Sequence, residues 1–166
     1  AARQEIETAI ALNEQSGDGY YALARLLSRA GEYQEADRYF AEAIQRAPQN
    51  RWYMLARADS ARASGELKRA IELYETAASQ FPDFANIYYQ LAQAYRTNGQ
   101  KEEAILAIER AVELASPPSE NYYVRAGEIY RWAGLREKAI TAYRQALIIN
   151  PENQTALKGL QLLGEN

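Results

Sequence analysis

Residues 20–48 read YYALARLLSRAGEYQEADRYFAEAIQRAP, and this stretch contains two helical patterns separated by one glycine. On each side of Gly31, apolar residues recur at the three-, four- and seven-residue spacing of one helix face. Gly31 suits the left-handed residue that ends a helix, because glycine has no Cβ to clash there. Pro48 follows the second pattern and cannot continue a helix. The stretch therefore predicts a helix, a tight turn, a second helix and a loop.

The same pattern recurs along the chain with a nearly constant period. Four glycines are spaced 34, 34 and 35 residues apart, and an alanine follows each glycine after five and again after twelve residues. A period of this length is typical of an array of stacked units and not of one closed core. The recurring positions are Gly31, Gly65, Gly99 and Gly134, then Ala36, Ala70, Ala104 and Ala139, then Ala43, Ala77, Ala111 and Ala146.

The period predicts four full units with one extra helix at each end, all in one solenoid domain. Residues 1–16 are the second helix of a truncated preceding unit, the four units are 17–50, 51–84, 85–119 and 120–153, and 154–166 form a capping helix. The extra residue of the third unit is placed in the loop at Pro117 and Pro118. The predicted helices are 2–14, 18–30, 33–46, 52–64, 67–80, 86–98, 101–115, 120–133, 136–149 and 154–163.

Composition limits the class of protein. The chain has 166 residues, a net charge of -3, and neither histidine nor cysteine. The commonest zinc ligands and the commonest general base are therefore missing, and no phosphate-binding glycine loop or nucleophile motif occurs. We expect no catalytic residue, no metal and no cofactor. The acidic balance argues against nucleic acid as a partner, and no apolar stretch reaches the roughly 18 residues needed to enter a membrane. We expect a soluble protein, with cytoplasm and periplasm both open.

Three stretches resemble the tetratricopeptide repeat family. They are YYALARLLSRAGEYQEADRYFAEAIQRAPQN, IYYQLAQAYRTNGQKEEAILAIERAVELA and YYVRAGEIYRWAGLREKAITAYRQALIINPEN. The family pattern places an aromatic residue, Leu-Gly or Leu-Ala, Tyr, Gly, Ala, Tyr or Phe, Ala and Pro in this order, and the resemblance covers residues 17–153. It implies an all-α fold, a right-handed superhelical α-solenoid of antiparallel helix pairs. In such a solenoid the first helices line a concave groove that binds peptides or protein segments.

The second unit departs most from the family pattern. Arg57 stands where the family has leucine, and Ala61 stands where it has tyrosine. We expect the Arg57 side chain to reach outward to solvent on its aliphatic stem.

The glycine positions separate core positions from groove positions on the first helices. The residues eleven before and nine after each glycine are mostly large and are assigned to packing, which accounts for most of the 13 tyrosines. The groove face then comprises the residues thirteen, ten, six and three before each glycine. The candidates on this face are Tyr21, Arg25, Trp52, Leu55, Asp59, Arg62, Asn86, Tyr89, Gln93, Arg96, Asn121, Val124, Glu128 and Arg131, together with Arg29 next to it.

Arginines give this face its most specific chemistry, since Arg62, Arg96 and Arg131 recur one unit apart. Guanidinium groups pair with carboxylates and stack on rings, so they favour a protein or peptide partner that is acidic or carries a terminal carboxylate. A second interpretation remains open, in which Asp59 and Arg62, and Glu128 and Arg131, are helical neighbours that only satisfy each other. Trp132 lies near the groove edge, and both structural and functional interpretations remain open for it.

The predicted function is a protein-interaction scaffold, expected to be part of a larger bacterial protein. Two alternatives stay open: the interaction tail of a multidomain enzyme, and a periplasmic scaffold for envelope assembly or exopolysaccharide secretion. Family members that hold chaperone C-termini use a lysine and asparagine clamp, but the matching face here carries no lysine. We therefore expect no binding to those termini. Self-association through the exposed ends of the array is a further hypothesis.

Overall fold

The computed structural model describes residues 2–13 and 15–165, and the regular secondary structure in them is α-helical. Every predicted helix is present, and its bounds agree with the prediction to within two residues, although residue 14, the predicted end of the first, lies outside the described residues. The described helices are α1 (Ala2–Leu12), α2 (Gly17–Ala30), α3 (Tyr33–Arg46), α4 (Arg51–Ala63), α5 (Leu67–Gln80), α6 (Ala85–Thr97), α7 (Lys101–Leu114), α8 (Glu120–Ala133), α9 (Arg136–Ile149) and α10 (Gln154–Leu162).

The four periodic glycines end the first helix of each pair in the left-handed conformation, as predicted. Their φ angles are 84° at Gly31, 88° at Gly65, 80° at Gly99 and 84° at Gly134. A Cβ at any of them would meet open space, so the backbone conformation and not crowding requires glycine. The residue after the glycine then bonds back into the helix; for example, the amide of Leu135 donates to the carbonyl of Tyr130 at 2.8 Å.

The two alanine positions let the helices of each pair approach closely. All eight of these alanines are 0% exposed, and the large residue nine after each glycine fills the neighbouring space. This packing confirms the predicted core positions, where alternating small and large side chains reach native density. The large residues are Phe40, Tyr74, Ile108 and Tyr143, each at most 1% exposed.

The chain divides into two compact units, Ala1–Pro82 and Asp83–Asn166. The first contains α1 to α5, and in it α4 packs against α2, α3 and α5. The second contains α6 to α10, and in it α10 packs against both α9 and α8. Ala156 and Leu160 of α10 join the core cluster around Tyr143, so α10 covers the end of that core. That all residues form one solenoid domain stays a prediction.

Tyr143 lies between two glycines that belong to other helices. A Cβ on Gly127 of α8 would lie 2.6 Å from the nearest ring carbons, and one on Gly159 of α10 would lie 2.4 Å from the ring. Real Cβ atoms do not approach a ring this closely, so both positions require a residue without a side chain. Gly127 stands where the other repeats have Ala24, Ala58 and Ala92, so only the fourth repeat leaves out the Cβ at this position.

Arg57 does not reach outward, and that prediction is wrong. Its Nε and Nη2 donate to the two carboxylate oxygens of Asp37 on α3, at 2.8 and 3.1 Å. Arg69 of α5 donates to the same carboxylate at 2.7 Å. Burial alone would raise the pKa of Asp37, but the hydrogen bonds and charges of Arg57 and Arg69 lower it below its ordinary value. The guanidinium thus replaces an apolar contact with a bidentate ion pair that joins three helices.

Candidate functional site

The predicted groove residues lie on the first helix of each pair, on α2 and α4 in the first unit and on α6 and α8 in the second. Leu55 must be corrected. It is only 6% exposed and belongs to the core, because helices on three sides cover α4. Trp52 at the start of the same helix is 49% exposed. In the first unit, the Arg25 guanidinium lies 5.5 Å from the centre of the Tyr21 ring, and Arg29 is exposed.

Each unit contains one pair of tyrosines that links its two first helices. In the first unit, the rings of Tyr21 and Tyr53 stack with their centres 4.6 Å apart, and the Tyr53 hydroxyl donates to Asp18 at 2.5 Å. In the second unit, the ring centres of Tyr89 and Tyr122 lie 5.0 Å apart. The Tyr122 hydroxyl likewise donates to an amide oxygen of α6, at 2.5 Å. The same arrangement of two tyrosine rings and one hydroxyl hydrogen bond therefore recurs every second repeat.

Sequence reasoning missed Tyr53 and Tyr122, although a signal was available. A tyrosine stands twelve residues before Gly65 and again before Gly134, while the other two repeats have Gly19 and Ile87 at that position. This alternation between odd and even repeats is absent from the pattern that all four repeats share. The chain is better described as two similar halves of two repeats each.

The acidic residue and the arginine of the second repeat meet at a buried tyrosine. The Tyr74 hydroxyl donates to Asp59 at 2.5 Å, and Arg62 Nε donates to the same hydroxyl at 3.3 Å. Burial raises the pKa of Asp59, although the hydrogen bond from Tyr74 and the charge of Arg62 both lower it. Arg62 Nη2 lies 3.9 Å from Asp59 Oδ1, so these two residues form the predicted ion pair.

The fourth repeat uses its acidic residue differently. Among the described residues, Glu128 pairs with Arg125 at 2.5 Å and with Arg96 at 3.8 Å, and the predicted pair with Arg131 is not formed. Burial raises the pKa of Tyr143, and the nearby Arg131 partly opposes this shift. Arg96 and Arg62 thus have partners within their own unit, whereas the Arg131 side chain faces a cavity.

This cavity lies between α8 and α10 and has a volume of about 400 Å³. Arg131 and Lys158 contribute two positive charges to its wall, and Glu128 contributes one negative charge that Arg96 and Arg125 already neutralise. Cationic groups around an open space bind carboxylates well, since each contact is a charge-assisted hydrogen bond. The remaining wall is formed by Tyr143, Gln154, Thr155, Gly159 and Leu162.

The pKa of Tyr53 offers a test of the tyrosine pair. Burial, followed by the hydrogen bond to Asp18, raises this pKa from 10.0 to about 12. Between these two values the unfolded chain loses the phenol proton while the folded chain keeps it, so stability falls as pH rises. An absorbance titration at the phenolate wavelength should show that Tyr53→Phe removes one tyrosine titrating near pH 12. Loss of a tyrosine with the ordinary pKa would contradict the geometry.

Metal-binding groups and membrane-spanning helices are the two features that remain to be considered. Within residues 2–13 and 15–165, His, Cys, Asp and Glu side chains form no group of three that could hold a metal ion. In the same residues, no helix combines the length and the apolar character that crossing a bilayer requires.

Comparison with known proteins places the fold. Tetratricopeptide repeat models match residues 17–50, 55–120 and 120–153. No curated protein sequence gives a significant match. The structure is similar to that of MamA, with a TM-score of 0.76 and 24% identity over 89% of this chain and 80% of that one. It is also similar to a thermophilic TPR protein of Thermus thermophilus, with a TM-score of 0.73 and 20% identity over 97% and 88% of the two chains.

A third similar structure is that of YrrB, described as a TPR protein with an unusual peptide-binding site. Its TM-score is 0.72, at 18% identity over 98% of this chain and 92% of that one. At these identities the likeness establishes the fold, and the repeat models establish the family. The chain therefore belongs to the tetratricopeptide repeat family, and its fold is an all-α helical repeat solenoid.

Proposed function

We propose that this chain is a protein-interaction module that binds an acidic segment of a partner protein along the first helices of its repeats. Tetratricopeptide repeats act as protein-interaction scaffolds, and the similar protein YrrB has a peptide-binding site. The observation that carries the acidic preference is the cavity between α8 and α10, where Arg131 and Lys158 face one open space.

The charge balance of this cavity favours an anion. The Glu128 carboxylate is held by Arg96 and Arg125, so it leaves the positive charges of Arg131 and Lys158 uncompensated at the wall.

The other groove candidates supply the neighbouring contacts in this proposal. Flat aromatic side chains offer contact area at little entropic cost, and amides pair with an extended peptide backbone. The proposed contact residues are Tyr21, Arg25, Arg29 and Trp52 in the first unit, and Asn86, Tyr89, Gln93, Asn121 and Val124 in the second.

Reversing one charge in the cavity tests the proposal. We expect Lys158→Glu to weaken binding of acidic peptides by about tenfold or more, the change that follows from losing one charge-assisted contact. The probe is a fluorescein-labelled pool of octapeptides with three acidic residues each, measured by anisotropy at physiological salt. Lys158 is exposed, so the melting temperature should not change.

The matched control is Lys68→Glu, which makes the same charge change at an exposed residue of α5 in the first unit. It should leave binding of the acidic pool nearly unchanged. Equal losses in both variants would mean that only net charge matters, and the cavity would have no role. Stronger binding of a basic pool than of the acidic pool would also overturn the proposal.

A further inference from the structure

A second cavity lies in the same unit, between α7, α8 and α9, with a volume of about 510 Å³. It shares no lining residue with the cavity around Arg131. Its inner wall is apolar, and its mouth carries exposed charged side chains, three of them acidic and one basic. The apolar wall contains Val112, Tyr123, Ala126, Tyr130 and Ala142, and the charged residues are Glu109, Glu113, Glu137 and Lys138.

The repeat itself explains why this space is open. Ala126 stands eight residues before Gly134, and the residue eight before Gly65 is Arg57. In the first unit the side chain at this position extends between α3, α4 and α5, and its guanidinium binds the Asp37 carboxylate. In the second unit the side chain at this position ends at a methyl group. One turn later the units differ in the opposite sense, since the first has Ala61 and the second has Tyr130, so the space beside Ala126 is bounded by the Tyr130 ring.

The carboxylate that would receive a guanidinium is also present in the second unit. Arg69 lies four residues after Gly65 and binds Asp37, and Lys138, four after Gly134, binds Glu109 at 2.9 Å. The Tyr130 hydroxyl donates to Glu109 at 3.0 Å, and among the described residues both of these bonds go to Oε1. Glu109 thus receives the same kinds of contact as Asp37, one from the next first helix and one from the cation four residues after the glycine, although it stands one helical turn later in its repeat.

Lys138 does not prevent a second cation from binding. In the first unit, Arg57 and Arg69 both bind Asp37, and Arg69 also binds Glu66. The second unit offers more negative charge, because Glu113 and Glu137 also line the cavity. Their partners, Arg110 and Arg136, are 41% and 51% exposed, and ion pairs this exposed contribute little.

We propose that this cavity binds an arginine side chain presented by a partner protein, in the way that the first unit holds its own Arg57. The aliphatic stem lies along Ala126, Ala142 and the tyrosine rings, and the guanidinium binds Glu109. This inference is independent of the proposed acidic ligand, since the two cavities share no residue. It gives the module two binding sites of opposite charge preference in one compact unit.

The test is a titration of the full chain, followed by amide NMR, with a pentapeptide that carries one arginine among alanines. We expect saturable shifts at Ala126, Tyr130 and Ala142. Replacing the arginine with uncharged citrulline should weaken binding by about tenfold, as expected for the loss of one charge-assisted contact. Equal binding of a norleucine peptide would show an apolar site only, and equal or tighter binding of a lysine peptide would remove the guanidinium preference. Either result, or an absence of shifts, would overturn the proposal.

Two variants locate the binding. Ala126→Arg should fill the cavity from within and abolish the arginine-dependent shifts. Leu106→Arg adds the same charge at an exposed residue of α7 outside the cavity, and it should leave those shifts unchanged. Glu109→Gln keeps the acceptor oxygen but removes the charge, so it should weaken binding even if Ala126→Arg fails to fold. Binding that survives in a folded Ala126→Arg variant and in Glu109→Gln would refute the proposal.

Discussion

Replacing Gly127 with valine is expected to lower the free energy of unfolding by about 3 kcal/mol, the upper part of the range for overpacking a core. A Cβ at this position lies 2.6 to 2.8 Å from three carbons of the Tyr143 ring. The ring is 1% exposed and has little room to move, because Gly159 of α10 also lies so close that a Cβ there would be 2.4 Å from it. Valine has a somewhat better helix propensity than glycine, but by only a few tenths of a kcal/mol, which offsets little of the cost.

Urea unfolding followed by circular dichroism measures this loss, and a double-mutant cycle identifies its cause. Tyr143→Leu alone should destabilise the protein, because it removes a buried ring. If the valine clashes with that ring, the loss from Gly127→Val should be clearly smaller in the Tyr143→Leu background. Additive losses would mean that the glycine is required for another reason, such as the approach of the helix backbones.

The second large effect is expected at the junction of α3, α4 and α5. Asp37→Ala should lower the free energy of unfolding by about 2 kcal/mol, as expected for hydrogen bonds to charged groups that are three-quarters buried. It removes the shared partner of Arg57 and Arg69, so Arg57 loses its carboxylate at a partly buried site while Arg69 keeps Glu66. The quantity to measure is the urea midpoint of the wild type and the variant at neutral pH.

The pH dependence gives an independent readout of the same carboxylate. The pKa of Asp37 in the folded chain lies below its ordinary value. Its contribution to the free energy of unfolding is therefore complete above the ordinary carboxyl pKa and is lost as the pH falls through the pKa of Asp37 in the folded chain. Asp37→Ala should lack this part of the acid destabilisation. Asp83→Ala, at an exposed aspartate, is the control and should match the wild type. An acid profile of Asp37→Ala identical to that of the wild type would contradict the assignment.

The repeat period made most of the fold predictable. The fold depends on local features: left-handed glycines, alanines at helix contacts and apolar helix faces. Each of them recurs four times, so the interpretation of one repeat could be checked against the other three. The core residues at the alanine positions and nine after each glycine followed from the same phase. The departures occur where the repeats differ from one another, as at Arg57, Leu55 and the two glycines around Tyr143.

The candidate site was less predictable, because one charge has several possible partners within reach. The spacing of Glu128 and Arg131 suggested a pair within one helix, yet Glu128 binds Arg125 on the other side along α8 and also Arg96 of α6. The i, i+3 spacing only brings side chains within reach and does not say which of the neighbours is closest. The tyrosine pairs and the cavity between α8 and α10 have the same origin, since each is formed by residues from different helices.

The sequence by itself determined the helices, their turns, the buried positions and the family, because the backbone requirement of each repeat acts within about 34 residues and is written four times. Only the tertiary structure decided which charges neutralise each other and which spaces stay open. The exchange of Arg57 for Ala126 is one substitution at equivalent positions, and its consequence depends on the carboxylates that other helices bring beside it. Which side chains meet across helices depends on the residues that each helix presents at the contact, so these contacts have to be seen in three dimensions.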